Sequence, residues 1–177
     1  MTTDHSQLVI AALGPDRPGL VDTISGYIWE RGGNIEDSRM AVLAGEFAVI
    51  MRITGDEKIL GRIESEADSL RKAADLNITL RRSRNHAKRY NSIPYKIAAV
   101  CLDHPGIVHR IASALASKRI NIESLETSTY EAPITGSALF RFEAVIAVPG
   151  DIAPGMLKRE LEQIAEKENL DLHFEAV

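Results

Sequence analysis

Cysteine is almost missing from this chain: Cys101 is the only one, so an internal disulfide and a cysteine-built zinc site are both excluded. Aromatic residues are scarce, at 5% of the sequence, which leaves few rings for stacking nucleic-acid bases. No apolar run approaches the roughly 18 residues that a membrane-spanning helix needs. Positive charge is not in surplus either. A net charge of −4 argues against a surface given over to nucleic acid or anionic membrane, while leaving room for a local basic patch. The polar start, Met1 to Gln7, lacks a cationic region followed by an apolar one, so no secretory leader is expected and a cytoplasmic location is. What remains is globular composition, 45% hydrophobic and 26% charged, able to bury a core. At 177 residues the chain is long enough for one ordinary domain or two small ones.

An internal repeat decides for two. A shift of 87 positions lays Ile10-Ala11-Ala12 on Ile97-Ala98-Ala99, and the run from Asp16 to Val21 on the run from Asp103 to Val108. The same shift lays Asn34-Ile35-Glu36 on Asn121-Ile122-Glu123, and the spacing from loop glycine to asparagine is 15 residues in both copies. A turn, a helix face and a strand start are thus preserved together.

Each copy reads as strand, helix, strand, strand, helix, strand. In the first, residues 8–14 form an apolar run of strand length. Asp16 is placed to cap the following helix, a contribution of about 1 kcal/mol, with Pro18 in its first turn and Leu20, Ile24 and Ile28 on one buried stripe. Gly32-Gly33 ends it. Strands over 34–43 and 46–54 are joined by a tight Ala44-Gly45 connection. Ile59, Ile63, Ala67, Leu70 and Ala74 mark one second helix, and 76–80 a last strand. The second copy repeats the plan with strand 95–102, helix 106–118, strands 121–130 and 137–148, helix 152–168 and strand 170–175. The expected class is α+β: two ferredoxin-like βαββαβ domains in tandem, each an antiparallel sheet with two helices on one face. Boundaries fall at 5–83 and 93–177, with a basic linker at 84–92 and further cations just before it at Arg81 and Arg82.

The Asp-x-Pro-Gly corner between first strand and first helix occurs twice, at Asp16-Arg17-Pro18-Gly19 and Asp103-His104-Pro105-Gly106. Its physics suits a zwitterion. A helix N-terminus attracts a carboxylate, an aspartate accepts from an ammonium group, and glycine admits a ligand close to the backbone. Asn34 and Asn121 each add an amide that donates and accepts. The plainer reading makes the aspartates helix caps, the prolines turn stiffeners and the asparagines turn residues.

With Arg31-Gly32-Gly33-Asn34-Ile35 and Ile120-Asn121-Ile122 completing the pattern, the chain resembles the ACT domain family of amino-acid-binding regulatory modules. Two such modules without a catalytic domain are similar to the glycine cleavage system transcriptional repressor family, as is the Ala132-Pro133 to Gly136 loop ahead of Leu139-Phe140-Arg141. The resemblance implies a small amino-acid ligand, glycine or serine, at Asp16, Arg17, Pro18, Gly19 and Asn34, and at Asp103, His104, Pro105, Gly106 and Asn121. It further implies a protein partner such as a LysR-type transcriptional activator, assembly as a homo-oligomer, and no direct DNA contact. Some serine-binding members carry a histidine two residues before the Asp or Asn, where this chain has Gly14 and Cys101.

Two rivals are weaker. No nucleotide-cradling glycine loop and no His-Glu-x-x-His pair occurs, so neither an enzyme, a cofactor nor a metal is expected. His5, His86, His104, His109 and His173 are scattered, and Cys101 at a strand end reads as a small buried hydrophobe. Glu160, Glu162, Glu166 and Glu168 read as a solvated helix face. For nucleic acid, the linker cations Arg84, Lys88 and Arg89 could meet phosphates, but Phe140 and Phe142 alternate as core residues do.

Overall fold

The computed structural model describes residues 7–83, 92–133 and 135–177, and the chain divides into two compact units, Met1–Lys88 and Arg89–Val177. In the first, β1 (Gln7–Pro15), α1 (Leu20–Glu30), β2 (Asn34–Leu43), β3 (Glu46–Thr54), α2 (Glu57–Ser65), α3 (Ala67–Ala74) and β4 (Asn77–Ser83) follow in order. They build an antiparallel sheet of order β2-β3-β1-β4. The second holds β5 (Ser92–Leu102), α4 (Ile107–Ser117), β6 (Asn121–Glu131), β7 (Ala138–Pro149), α5 (Pro154–Glu168) and β8 (Asp171–Ala176). Its sheet order is β6-β7-β5-β8, again antiparallel. The tandem ferredoxin-like plan expected from the repeat is the observed one.

Alternation puts the core on one face of each sheet. Leu8, Ile10 and Ala12 of β1 and Phe47, Val49, Met51 and Ile53 of β3 are buried under Leu20, Ile24, Ile28, Leu60, Ile63 and Leu70 of the helices. Ile97, Ala99, Phe142, Ala144 and Ile146 lie likewise under Ile111, Leu115, Leu157 and Leu161. Even the irregularities are duplicated: β2 shifts register at Glu36 and β6 at Glu123, again 87 residues apart. Ala44 and Gly45 take φ of 52° and 83°, the pair of left-handed residues that a two-residue hairpin turn requires.

Three expectations change. The second helix of the first module is two helices, broken at Glu66. The Ile63 carbonyl, which an unbroken helix would offer to residue 67, is engaged by the Tyr27 hydroxyl at 2.7 Å. Arg62 (3.0 Å) and Arg31 (2.9 Å) both donate to the Glu66 carboxylate at the break. The apolar spacing runs through the break in phase, so no gap shows in the pattern. Asp16 and Asp103 are not helix caps. Gly19 and Gly106 occupy the cap positions at φ 89° and 100°, without a side-chain cap bond. Lastly, the expected linker 84–92 lies outside the described residues apart from Ser92, the first residue of β5. Arg81 and Arg82 belong to β4, where Arg82 pairs with Glu57 (3.1 Å) and Glu64 (2.7 Å).

At Gly33 a methyl group would meet Ile63 Cδ1 at 2.8 Å, Ile28 Cγ2 at 3.0 Å and Ile53 Cγ2 at 3.2 Å. Gly33→Ala is therefore expected to lower unfolding free energy by about 1–3 kcal/mol through overpacking, read from urea midpoints. The hydrogen bonds from Arg62, then from Arg31, hold the Glu66 carboxyl below the usual carboxylate range. A depressed carboxyl contributes stability at neutral pH that is lost as pH falls through that range. The melting temperature should accordingly fall on acidification, and less so in Glu66→Gln.

Candidate functional site

In each module one corner is assembled from parts far apart in the chain. Asp16 N–H donates to Gly45 C=O at 2.9 Å, tying the corner to the β2–β3 turn, and Asp103 N–H donates to Ala138 C=O at 3.0 Å. The residue after the aspartate reaches across to the end of the second helix. Arg17 donates to the carbonyls of Ala73 (3.1 Å) and Ala74 (2.9 Å), closing the last turn of α3. His104 takes the same direction in the second module, its Nε2 lying 3.7 Å from Glu168 Oε2 near the end of α5. Arg110 pairs with the other oxygen of that carboxylate at 3.1 Å. Glu168 was expected on a solvated face, yet its side chain is only 12% exposed. Helical spacing alone groups it with Glu160, Glu162 and Glu166, and nothing in the pattern announces a tether 64 residues from the histidine it meets.

The corner itself is open. Pro18, Gly19, Pro105 and Gly106 are exposed; a methyl group at Gly19 would meet no atom within 4 Å, and one at Gly106 only Arg110 Nε at 3.8 Å. Glycine is needed there for its positive φ, not for lack of room. Thr23 N–H to Gly19 C=O and Arg110 N–H to Gly106 C=O begin the helical ladders. The N–H groups of Leu20, Val21 and Asp22, and of Ile107, Val108 and His109, thus precede the ladder and lack an intrahelical acceptor. The exposed carboxylates of Asp16 and Asp103 have no hydrogen-bond or ion-pair partner among the described residues. An unengaged carboxylate beside unengaged N–H groups offers complementary ends to an ammonium and a carboxylate.

The asparagines are elsewhere. Asn34 pairs with Thr54, which pairs with Gln7, whereas Pro15 at the corner pairs with Glu46. Eight residues of strand at about 3.3 Å each put Asn34 about 26 Å from the corner. Asn121 likewise begins β6 opposite Ala147, at the far end from Leu102, which pairs with Leu139. Within one module, the aspartate and the asparagine are not brought together. A concavity of about 480 Å³ at the Asn121 end of the second module is lined by Lys118, Arg119, Asp151, Ile152, Met156 and Leu157, away from the corner.

Cys101 is buried; burial first, then the charges of Asp103 and Glu168, push its thiol up, the opposite of what a nucleophile needs. Phe142 is buried and Phe140 packs against the same core, so neither ring is presented for stacking. Among the described residues no three His, Cys, Asp or Glu side chains stand together as a metal would require.

Residues 6–81, the first module, match the ACT domain model, and the second module repeats the same strand order. The chain is 35% identical over 127 residues to the glycine cleavage system transcriptional repressor of Escherichia coli (strain K12); the match covers 71% of this chain and 66%, just under two thirds, of that protein. A crystal structure of an unknown protein from Galdieria sulphuraria superposes with a TM-score of 0.82 at 29% identity, covering 97% of this chain and 99% of that one. A second, provisionally assigned as a glycine cleavage system transcriptional repressor, has a TM-score of 0.72 at 23% identity over 99% of each chain and shares the fold.

Gly19→Ala and Gly106→Ala are each expected to cost about 1–2 kcal/mol, because alanine is strained at positive φ even in open space. Gly26→Ala, inside α1 and equally uncrowded, should instead stabilise by about 1 kcal/mol. Denaturant midpoints of the three variants provide the comparison.

Proposed function

We propose that this chain is a cytoplasmic, non-enzymatic regulator that senses a small amino acid, glycine before serine, and acts through protein–protein contact in the manner of a glycine cleavage system transcriptional repressor. The observation that carries the reading is the doubled open corner, Asp16 to Gly19 and Asp103 to Gly106, whose carboxylates cap no helix. The name of the E. coli relative supports the process regulated, and the partner proposed is a LysR-type transcriptional activator, as the family resemblance implies. Arg17 and His104 hold the corners in shape, while the aspartates and glycines face the ligand.

The separation of Asp16 from Asn34 adds a condition. A ligand that meets both an aspartate and an asparagine must take the asparagine from a different module than the aspartate, so binding is linked to how modules associate. The ligand then shifts the population toward one assembly by the difference in its affinity for the two states.

Isothermal titration with a panel of amino acids, glycine and serine first, tests the reading. Asp16→Ala combined with Asp103→Ala should weaken the responding amino acid by about tenfold or more, the loss of about 1.4 kcal/mol or more expected of a charge-assisted hydrogen bond. Because neither aspartate caps its helix, the melting temperature should hardly move. Unchanged affinity in the double variant would contradict the site; silence across the whole panel would leave assembly alone as the function.

A further inference from the structure

Residues 10–36 align with 97–123 without a gap, and Gly55-Asp56 answers to Gly150-Asp151 ahead of the next helix. Each module is therefore a control for its twin at the end of the sheet away from the corner. In the first module the notch between the end of α1 and the start of α2 is closed. A methyl group at Gly32 would lie 3.5 Å from Ile59 Cδ1, and one at Gly55 only 2.8 Å from Ile59 Cγ2. Ile59 itself packs against the core. The carboxylate of Asp56 is engaged as the cap of α2, accepting from Ile59 N–H at 2.7 Å.

In the second module the same notch stands open. Four positions lead from Asp56 to the buried Leu60, but six from Asp151 to the buried Leu157. The longer approach starts the helix beyond the aspartate: the cap position of α5 is Ala153, and no side chain bonds there. Met156, which precedes Leu157 as Ile59 precedes Leu60, is 65% exposed. The concavity of about 480 Å³ that results has Ile152, Met156 and Leu157 as its apolar wall, and its size is that of a small-molecule site. Lys118 at its rim is committed to Glu160 at 2.7 Å. Arg119 and Asp151 also line it, and neither has a hydrogen-bond or ion-pair partner among the described residues. Arg119 stands where the twin has Gly32, with φ of 57° against 81°. Backbone of that hand suits glycine and opposes a longer side chain, so folding gives no reason for an arginine. What it adds is a free guanidinium beside an apolar wall.

We propose that this concavity is a ligand site, built in the second module alone, for an apolar carboxylic acid with a hydrogen-bond donor on the carbon next to its carboxyl group. A 2-amino or 2-hydroxy acid with a branched aliphatic tail has that chemistry. The Arg119 fork takes the carboxylate through two parallel N–H···O bonds. Asp151 accepts from the amino or hydroxyl group, and the tail covers Ile152, Met156 and Leu157. The site lies at the Asn121 end of the module, away from the Asp103 corner, so it stands whether or not the corner binds glycine.

Isothermal titration of the full chain with leucine, 2-hydroxyisocaproate, isocaproate and leucinamide tests it. At least one of the first two should bind, with one molecule per chain, and which of them binds identifies the source. Isocaproate lacks the donor and leucinamide the carboxylate, and both should be weaker by about tenfold or more. Arg119→Gly should weaken the bound acid by about tenfold or more, without lowering the melting temperature, since glycine is the residue at that torsion in the twin. Asp151→Asn should cost leucine more than 2-hydroxyisocaproate, because an amide oxygen still accepts from a hydroxyl but lacks the charge that an ammonium group meets. Silence from both acids, two molecules per chain (which would move the ligand to the doubled corners), equal binding of isocaproate or leucinamide, or unchanged affinity in Arg119→Gly would each overturn the proposal.

Discussion

A single left-handed residue at the start of the first helix governs the shape of both corners. With Gly19 and Gly106 at φ near 90° to 100°, the chain leaves its strand, turns, and enters the helix without the extended capping residue that usually precedes one. Capping by Asp16 and Asp103 is thereby ruled out, and their carboxylates remain facing solvent beside the unpaired N–H groups of the helix. Were the cap position an ordinary residue in extended conformation, the aspartate could fold back onto the helix end and satisfy those donors itself. The openness of the corner follows from one backbone torsion.

Around that torsion each module builds a frame from non-local contacts. The corner N–H is held by the facing hairpin, at Gly45 or Ala138, and the following side chain runs to the second helix. The two modules solve the second task differently. Arg17 donates to backbone carbonyls. His104 meets a carboxylate that Arg110 also claims. Duplication preserved the geometry and let the chemistry diverge.

The same divergence runs along the flank beside each edge strand. Where the first module presents Met40 and Val42, the second presents Thr127 and Thr129. None of these residues packs in its own module's core, so their difference is not owed to folding. An uncapped corner and a bare apolar edge strand stand on one small module.

The local sequence was enough for the repeat, the two βαββαβ modules, the core stripes, the Ala44-Gly45 turn and the paired corners, because each of these depends on spacing between near neighbours and on the torsional limits of glycine and proline. Three features depended on tertiary structure. The break at Glu66 arises where Tyr27 takes a carbonyl from a helix 36 residues away. The partner of His104 is Glu168, a residue that helical periodicity assigns to solvent. Asn34, only 15 residues from Gly19, sits at the other end of the sheet, because an intervening helix carries the chain the full length of the module before the strand begins. Periodicity reports which face of an element is buried; it carries no record of which elements meet, and that was decided by packing.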